Sequence, residues 1–175
     1  VDDEIALEQI LANGKRRVIV HAEDEKRLRE RKSIVMNSKS VKDHHIWRDP
    51  ESAFLATEKL LRLAHKTKRK VHVLHVTTKQ EVELLHKNKD IASFELTPNH
   101  LSFAAPECYE KLGTLVQMNP PIREVTHQDA LWNAIRNGNA DIIGTDHAPH
   151  TLEEKHKSYP DSPSGMPGVQ TLVPV

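Results

Sequence analysis

Three apolar runs of this chain end on residues that can bind a metal or move a proton. His21 closes the run in VIVHAED, His75 nearly closes VHVLHV, and Asp146 closes DIIGTD. Zinc accepts neutral imidazole nitrogen and carboxylate oxygen, and a catalytic site keeps one coordination position open for water. A carboxylate beside that water can take its proton and later deliver it to a leaving nitrogen, so Asp146 is assigned general base and acid work. Taken singly, each histidine also reads as a hydrogen-bonded or exposed strand end, and Asp146 as a turn cap. Recurrence at three strand ends favours chemistry, and His147, Pro149 and His150 crowd the last of them within GTDHAPH, Gly144 to His150.

Two further segments carry polar groups on constrained backbone. In MNPPIR, Met118 to Arg123, the amide of Asn119 precedes two prolines that fix φ and hold the chain extended, so Asn119 could present rigid hydrogen-bonding groups to a heterocycle; the alternative is an ordinary loop. SGMPGVQ, Ser164 to Gln170, is equally open, because glycines permit close backbone approach to a ligand but also simply make loops. The remaining histidines singled out, His44 and His45 in a polar loop, His65 and His86 on charged helix stretches, and His127 and His156 among hydrophilic neighbours, read as solvated surface. Lys26 to Lys32, after Glu25, reads as a solvated helix face or loop, with no interleaved aromatics to stack on bases.

Strands and helices must alternate to place these groups together. Val1 to Asn13 has near-helical spacing of Ile5, Gln9, Ile10 and Ala12, followed by Gly14. Arg17 to His21 is the first strand. Asp49 and Pro50 open a helix carrying Phe54, Leu60, Leu61 and Ala64 inward. Val71 to Val76 is the second strand, and Thr78 with Glu81 forms a capping box before the next helix. Ile91 to Leu96 is the third strand, Leu115 to Met118 a short extra one, Thr126 to Asn137 a helix with Gly138 at its end, and Asp141 to Thr145 the last strand. Such alternation indicates a parallel sheet with reacting groups at the strands' C-terminal ends. By strand parity His75 shares a face with Val71 and Val73, so that if His75 faces the barrel interior His72 faces the helices.

Composition narrows the partners. Lys plus Arg number 25 and Asp plus Glu number 25, so no net field draws the chain to nucleic acid or an anionic membrane, and a small-molecule substrate is favoured. No apolar run approaches the length of a bilayer span. The one cysteine, Cys108, cannot form an internal disulfide, which favours a cytoplasmic location.

HAED, LHVTT, ELTPNHLSF, MNPPIR, GTDHAPH and SGMPGVQT occur in an order and spacing that resembles the dihydroorotase family of the amidohydrolase superfamily, from Arg17 onward. MNPPIR and DHAPH favour dihydroorotase over the related dihydropyrimidinases and allantoinases. The resemblance implies that His21 and His75 are histidine ligands of one zinc ion, and that Asp146 is a carboxylate ligand of another and shuttles the proton, in a site of one or two Zn2+. It implies substrate contacts at Asn119, His150, Pro167 and Gly168. The implied reaction is reversible hydrolysis of the cyclic amide of L-dihydroorotate to N-carbamoyl-L-aspartate in pyrimidine biosynthesis. The family more often carries His-His or His-Tyr where this chain has Asn99 and His100, which leaves position 99 without an assigned role.

The family's His-x-His, its substrate-binding Arg and its bridging carboxylated Lys or Asp are expected upstream of His21. The fold expected is therefore α/β, the C-terminal half of a (β/α)8 TIM-type barrel, with residues 1–175 supplying about four βα units as one partial domain. A chain of this extent is expected to be inactive by itself. Two other readings stand beside the first: a non-catalytic dihydroorotase-like scaffold partnering aspartate transcarbamoylase, and a hydantoinase-like or allantoinase-like hydrolase. A homodimer is the other association the resemblance suggests.

Overall fold

The computed structural model describes residues 3–174. Val1 and Asp2 of the expected first helix lie outside them. Helix α1 (Glu4–Ala12) starts at Asp3, whose carboxylate accepts from the amides of Ile5 and Ala6. It buries Leu7 and Leu11, whereas Ile5 and Ile10, two of the residues whose spacing indicated the helix, remain exposed. Gly14, at φ +86°, leads toward β1 (Val18–Val20).

The charged stretch that follows is helical throughout: α2 (Glu25–Arg31), α3 (Ser33–Ser38), a 3-10 turn at Val41–Asp43 and α4 (His44–Trp47). Lys26, Glu30 and Lys32 are exposed as expected, while Leu28 is buried. Helix α5 (Pro50–Thr67) has Pro50 in its first turn and the Asp49 carboxylate accepting from the amide of Ser52. Its inward residues include Ala53, Leu60, Leu61, Leu63 and Ala64, but Phe54 is only half-buried. After β2 (Val71–Val73), helix α6 (Lys79–His86) begins with the Thr78 and Glu81 capping box complete in both directions.

Strand β3 (Ala92–Leu96) is followed by α7 (Pro98–Ser102), α8 (Glu107–Leu112) and a 3-10 turn at Gly113–Val116. That turn replaces the extra strand expected at Leu115 to Met118. Both edges of β3 are already paired, and the amide of Gln117 closes back on the Thr114 carbonyl. Helix α9 (Val125–Arg136), β4 (Ile142–Ile143), α10 (Leu152–Lys155) and a 3-10 turn at Val169–Thr171 complete the chain.

All three strand pairings are parallel and the order is β1-β2-β3-β4, the sequential winding of a β/α barrel wall. One face is sealed: Val71, Val73, Ala92, Phe94 and Leu96 pack with Leu60 and Leu63 of α5, Leu85 of α6 and Leu131 of α9 in one apolar cluster. The opposite face carries Ile19, 63% exposed, His72, Ser93 and Glu95 in register. His72 Nδ1 lies 2.7 Å from the Ser93 hydroxyl.

This corrects the parity expectation, because His72, and not Val71 or Val73, points away from the helices. Strand alternation stops at Val73, and His75 turns with φ +36°. A residue outside the pleat does not inherit its parity.

The reading of His44 and His45 as solvated is also corrected. Both are buried, His44 to 1% and His45 to 7%. His45 stacks on Tyr109 at 5.4 Å between ring centroids. His44 Nε2 lies 3.0 Å from the Met118 carbonyl and 3.1 Å from Asn119 Oδ1, and its Nδ1 lies 3.0 Å from the Tyr159 hydroxyl. The Met118 carbonyl can only accept, so Nε2 carries the proton and Nδ1 accepts from Tyr159. His127 is half-buried, its Nδ1 accepting from the amide of Lys79. His65, His86 and His156 are exposed as expected.

Burial, reinforced by the Arg48 charge, pushes His44 down to about 4. The unfolded imidazole titrates near about 6.5, so between those values the unfolded chain binds the extra proton. The stability His44 contributes is complete above about pH 6.5 and falls as pH drops toward 4, by on the order of 3 kcal/mol. Urea unfolding from pH 7 to 4 should therefore show a flatter profile for His44→Gln than for the unsubstituted chain; parallel profiles would contradict the buried neutral imidazole.

Candidate metal centre and its loops

Because β1 and β2 are neighbours in a parallel sheet, residues just beyond their C-terminal ends can meet. His21 Nδ1 lies 3.0 Å from His75 Nε2, with ring centroids 4.7 Å apart and the rings near perpendicular. The other nitrogen of His21, Nε2, lies 3.2 Å from the Glu23 carboxylate. That contact puts the His21 proton on Nε2 and leaves the Nδ1 lone pair directed at His75. Burial pushes His75 down to about 3, with the His21 and His100 charges acting in the same direction, so its ring is neutral at physiological pH.

Glu23 has no exposed side-chain surface. Burial alone would raise its carboxyl, but hydrogen bonds from His21 and Arg48 and the charges of Arg48 and Arg123 outweigh burial and hold it down at about 2. The Arg48 guanidinium reaches both carboxylate oxygens. Arg123, itself buried, donates to the Arg48 carbonyl and, at 3.2 Å, to the Thr77 hydroxyl. The carboxylate thus ties the end of β1 to the residues before α5 through Arg48, and Arg123 carries the link on to Thr77 beyond β2.

The two imidazoles fit a shared cation. Bonds of about 2.0–2.1 Å in a tetrahedral zinc site hold two nitrogens roughly 3.3 Å apart, close to the spacing of this pair, and neutral imidazole is a nitrogen donor suited to zinc. Asp146 is not part of the pair. Among the described residues no three His, Cys, Asp or Glu side chains converge closely enough to hold a metal ion. Asp146 is half-buried just past β4, at φ +43°. Burial raises its carboxyl, the Glu95 charge raises it further, and His21 acts in the opposite sense. A Cβ at Gly144 would lie 2.7 Å from the Glu95 carboxylate, so a glycine here lets that carboxylate sit over the backbone leading to Asp146.

The expected substrate contacts fall into separate places. Pro167 and Gly168 lie against the Asp146 segment: His147 bridges to Met166, His147 Nδ1 accepts from the amide of Gly168 at 3.1 Å, and the Pro167 carbonyl is 3.5 Å from Asn99 Nδ2. His150 is exposed, 3.7 Å from the Glu154 carboxylate. Asn119 is turned toward His44 and lines a cleft of about 640 Å³ with Gln117, Tyr159, Ser162 and Ser164, a cleft whose walls include none of His21, His75 or Asp146. Glu23 and Arg48 were missed in the sequence, although Glu23 stands in HAED two residues after His21.

Gly168 is required by contact, since a Cβ there would collide with the Thr145 carbonyl oxygen. Gly168→Ala should cost about 1–3 kcal/mol in urea unfolding through the forced backbone shift. An unchanged midpoint would rule the contact out.

No family model matches the chain. A dihydroorotase from Halobacterium salinarum is 35% identical over 161 residues, covering 90% of this chain and 36% of that protein. A dihydroorotase from Methanosarcina mazei is 34% identical over 165 residues, covering 89% and 36%. The chain therefore spans little more than a third of the length of these curated relatives. Among solved structures, a dihydropyrimidinase from Brevibacillus agri matches with a TM-score of 0.89 at 25% identity, over 97% of this chain and 40% of that one. A D-hydantoinase matches at 0.87 and 26% identity, over 98% and 40%. The solved neighbours share the fold and the named relatives share the sequence, so over the stretch it spans the chain is similar to dihydroorotases and, in fold, to the cyclic amidohydrolases.

Proposed function

We propose that this chain is part of the catalytic barrel of a zinc-dependent dihydroorotase, which interconverts L-dihydroorotate and N-carbamoyl-L-aspartate. The observation that carries the reading is the His21 and His75 pair, 3.0 Å apart at neighbouring strand ends and oriented by a buried carboxylate. In this proposal His21 and His75 hold the cation. Bound there, zinc supplies Lewis-acid polarisation and a lowered pKa for water.

The chain's own residues divide the remaining work. Glu23 keeps His21 in the tautomer whose Nδ1 lone pair faces inward. Asp146 accepts the proton of the attacking water and returns it to the departing ring nitrogen, and its raised carboxyl suits a group that must also act as an acid. Asn119, His150, Pro167 and Gly168 are proposed to contact the substrate. The setting is cytoplasmic pyrimidine synthesis, with a small-molecule substrate.

Two imidazoles are fewer protein ligands than a zinc site normally uses. The isolated stretch is accordingly expected to open no dihydroorotate ring, and measurable zinc-dependent ring opening by it would refute that. Glu23→Gln should lower zinc affinity by about 10–100-fold in a chelator competition, as loss of an orienting carboxylate does. Unchanged affinity would remove the metal reading. A polypeptide containing this stretch should turn over L-dihydroorotate in preference to hydantoin and allantoin; turnover of either alternative without dihydroorotate would overturn the substrate assignment.

A further inference from the structure

Among the described residues Lys155 is a buried cation with no carboxylate partner. It ends α10, only 4% exposed, and its ammonium donates to three backbone carbonyls: Gln117 at 3.0 Å, Pro163 at 2.9 Å and Gly165 at 3.0 Å. Burial pushes it down to about 8. A buried ammonium is costly unless each of its donors is satisfied, so a site built from three carbonyls is a specific arrangement.

The segments that meet there each lead to a proposed substrate contact. Gln117 is two residues before Asn119, Gly165 is two before Pro167, and Lys155 itself follows His150 by five. Further bonds tighten the same junction. The amide of Gly165 donates to the Gln117 carbonyl at 2.9 Å, the Gln117 amide group donates to the Ser162 carbonyl at 2.9 Å, and the Thr114 hydroxyl donates to the Lys155 carbonyl. A Cβ at Gly165 would lie 2.5 Å from the Ala148 carbonyl and 3.1 Å from the His150 ring, so that loop also presses on the segment leading to His150.

We propose that Lys155 is a positioning residue that sets the mutual placement of Asn119, His150 and the Pro167 and Gly168 backbone, by holding the three loops on one ammonium. The tie itself is independent of the enzymatic reading; only its consequence for substrate rests on that reading. Three ammonium hydrogens match three carbonyls, and a shorter or neutral side chain satisfies fewer.

Amide hydrogen exchange on this chain tests the tie directly. In the unsubstituted protein the protected amides of Gln117 and Gly165 should open as one unit, with a common exchange free energy. Lys155→Met should speed exchange in both segments together by about tenfold or more while Phe94 and Leu85 keep their rates, and Lys155→Arg should restore part of the protection. Independent opening of the two segments in the unsubstituted protein would overturn the proposal, even should Lys155→Met fail to fold. So would a Lys155→Met effect confined to one segment or spread equally over the sheet. In a longer polypeptide active on dihydroorotate, Lys155→Met should raise KM by about tenfold with little change in kcat. An unsubstituted polypeptide without that activity would defeat the enzymatic reading and leave the exchange result standing, whereas unchanged KM with full activity would overturn the positioning role.

Discussion

The buried carboxylate of Glu23 constrains everything at the open end of the sheet. A charge with no exposed side-chain surface must be matched by donors, and Arg48, His21 and the nearby Arg123 charge meet that need. Each partner belongs to a different part of the chain: His21 follows β1, Arg48 precedes α5, and Arg123 reaches from the segment before α9 to Thr77 beyond β2. The His21 tautomer and the approach of β2's end to β1's are therefore fixed by the same ionic cluster. Exchanging Glu23 for an apolar residue would leave Arg48 as an unmatched cation in the interior, which is why the cluster must be regarded as one unit.

Much of the fold was legible because its signals are local. Asp49 with Pro50, and Thr78 with Glu81, announce helix starts through hydrogen bonds made within four residues, and those starts are where the residue types place them. Strands β1, β2 and β4 were legible from their β-branched residues. Failures arose where long-range contact decides. Leu115 to Met118 has strand-like residues, but both edges of β3, the strand before it in the chain, are already taken, and His44 and His45 sit in a polar stretch that helix α8 and the Tyr159 segment cover from far along the chain. The parity of His75 failed because the strand ends at Val73 and His75 itself takes a positive φ.

The candidate site divides in the same way. His21 and His75 were legible as strand-end imidazoles, and the fold brings their nitrogens together. Glu23 and Lys155 were not, because an acidic residue in a polar stretch and a lysine in Glu-Glu-Lys look solvated until burial and partners are known. Asn119 was singled out as a presenter of polar groups, yet it faces His44 across a cleft apart from the imidazole pair. Its segment is held two residues upstream by the Lys155 ammonium on the Gln117 carbonyl, a contact that nothing in MNPPIR announces.

The chain-order winding β1-β2-β3-β4 has a consequence for reach. Neighbouring strands stand about 4.8 Å apart, so His21 and His75 need no special bend of the sheet to touch. Asp146 leaves β4, three strand spacings from β1, and in a flat sheet that separation would be roughly 14 Å. The distance between the imidazoles and the Asp146 carboxylate is thus governed by the curvature of the wall, a property distributed over every residue that packs beneath it. Substitutions deep in the helical layer, far from the strand ends, would change that separation by flattening or tightening the arc, with His21, His75 and Asp146 themselves left unchanged.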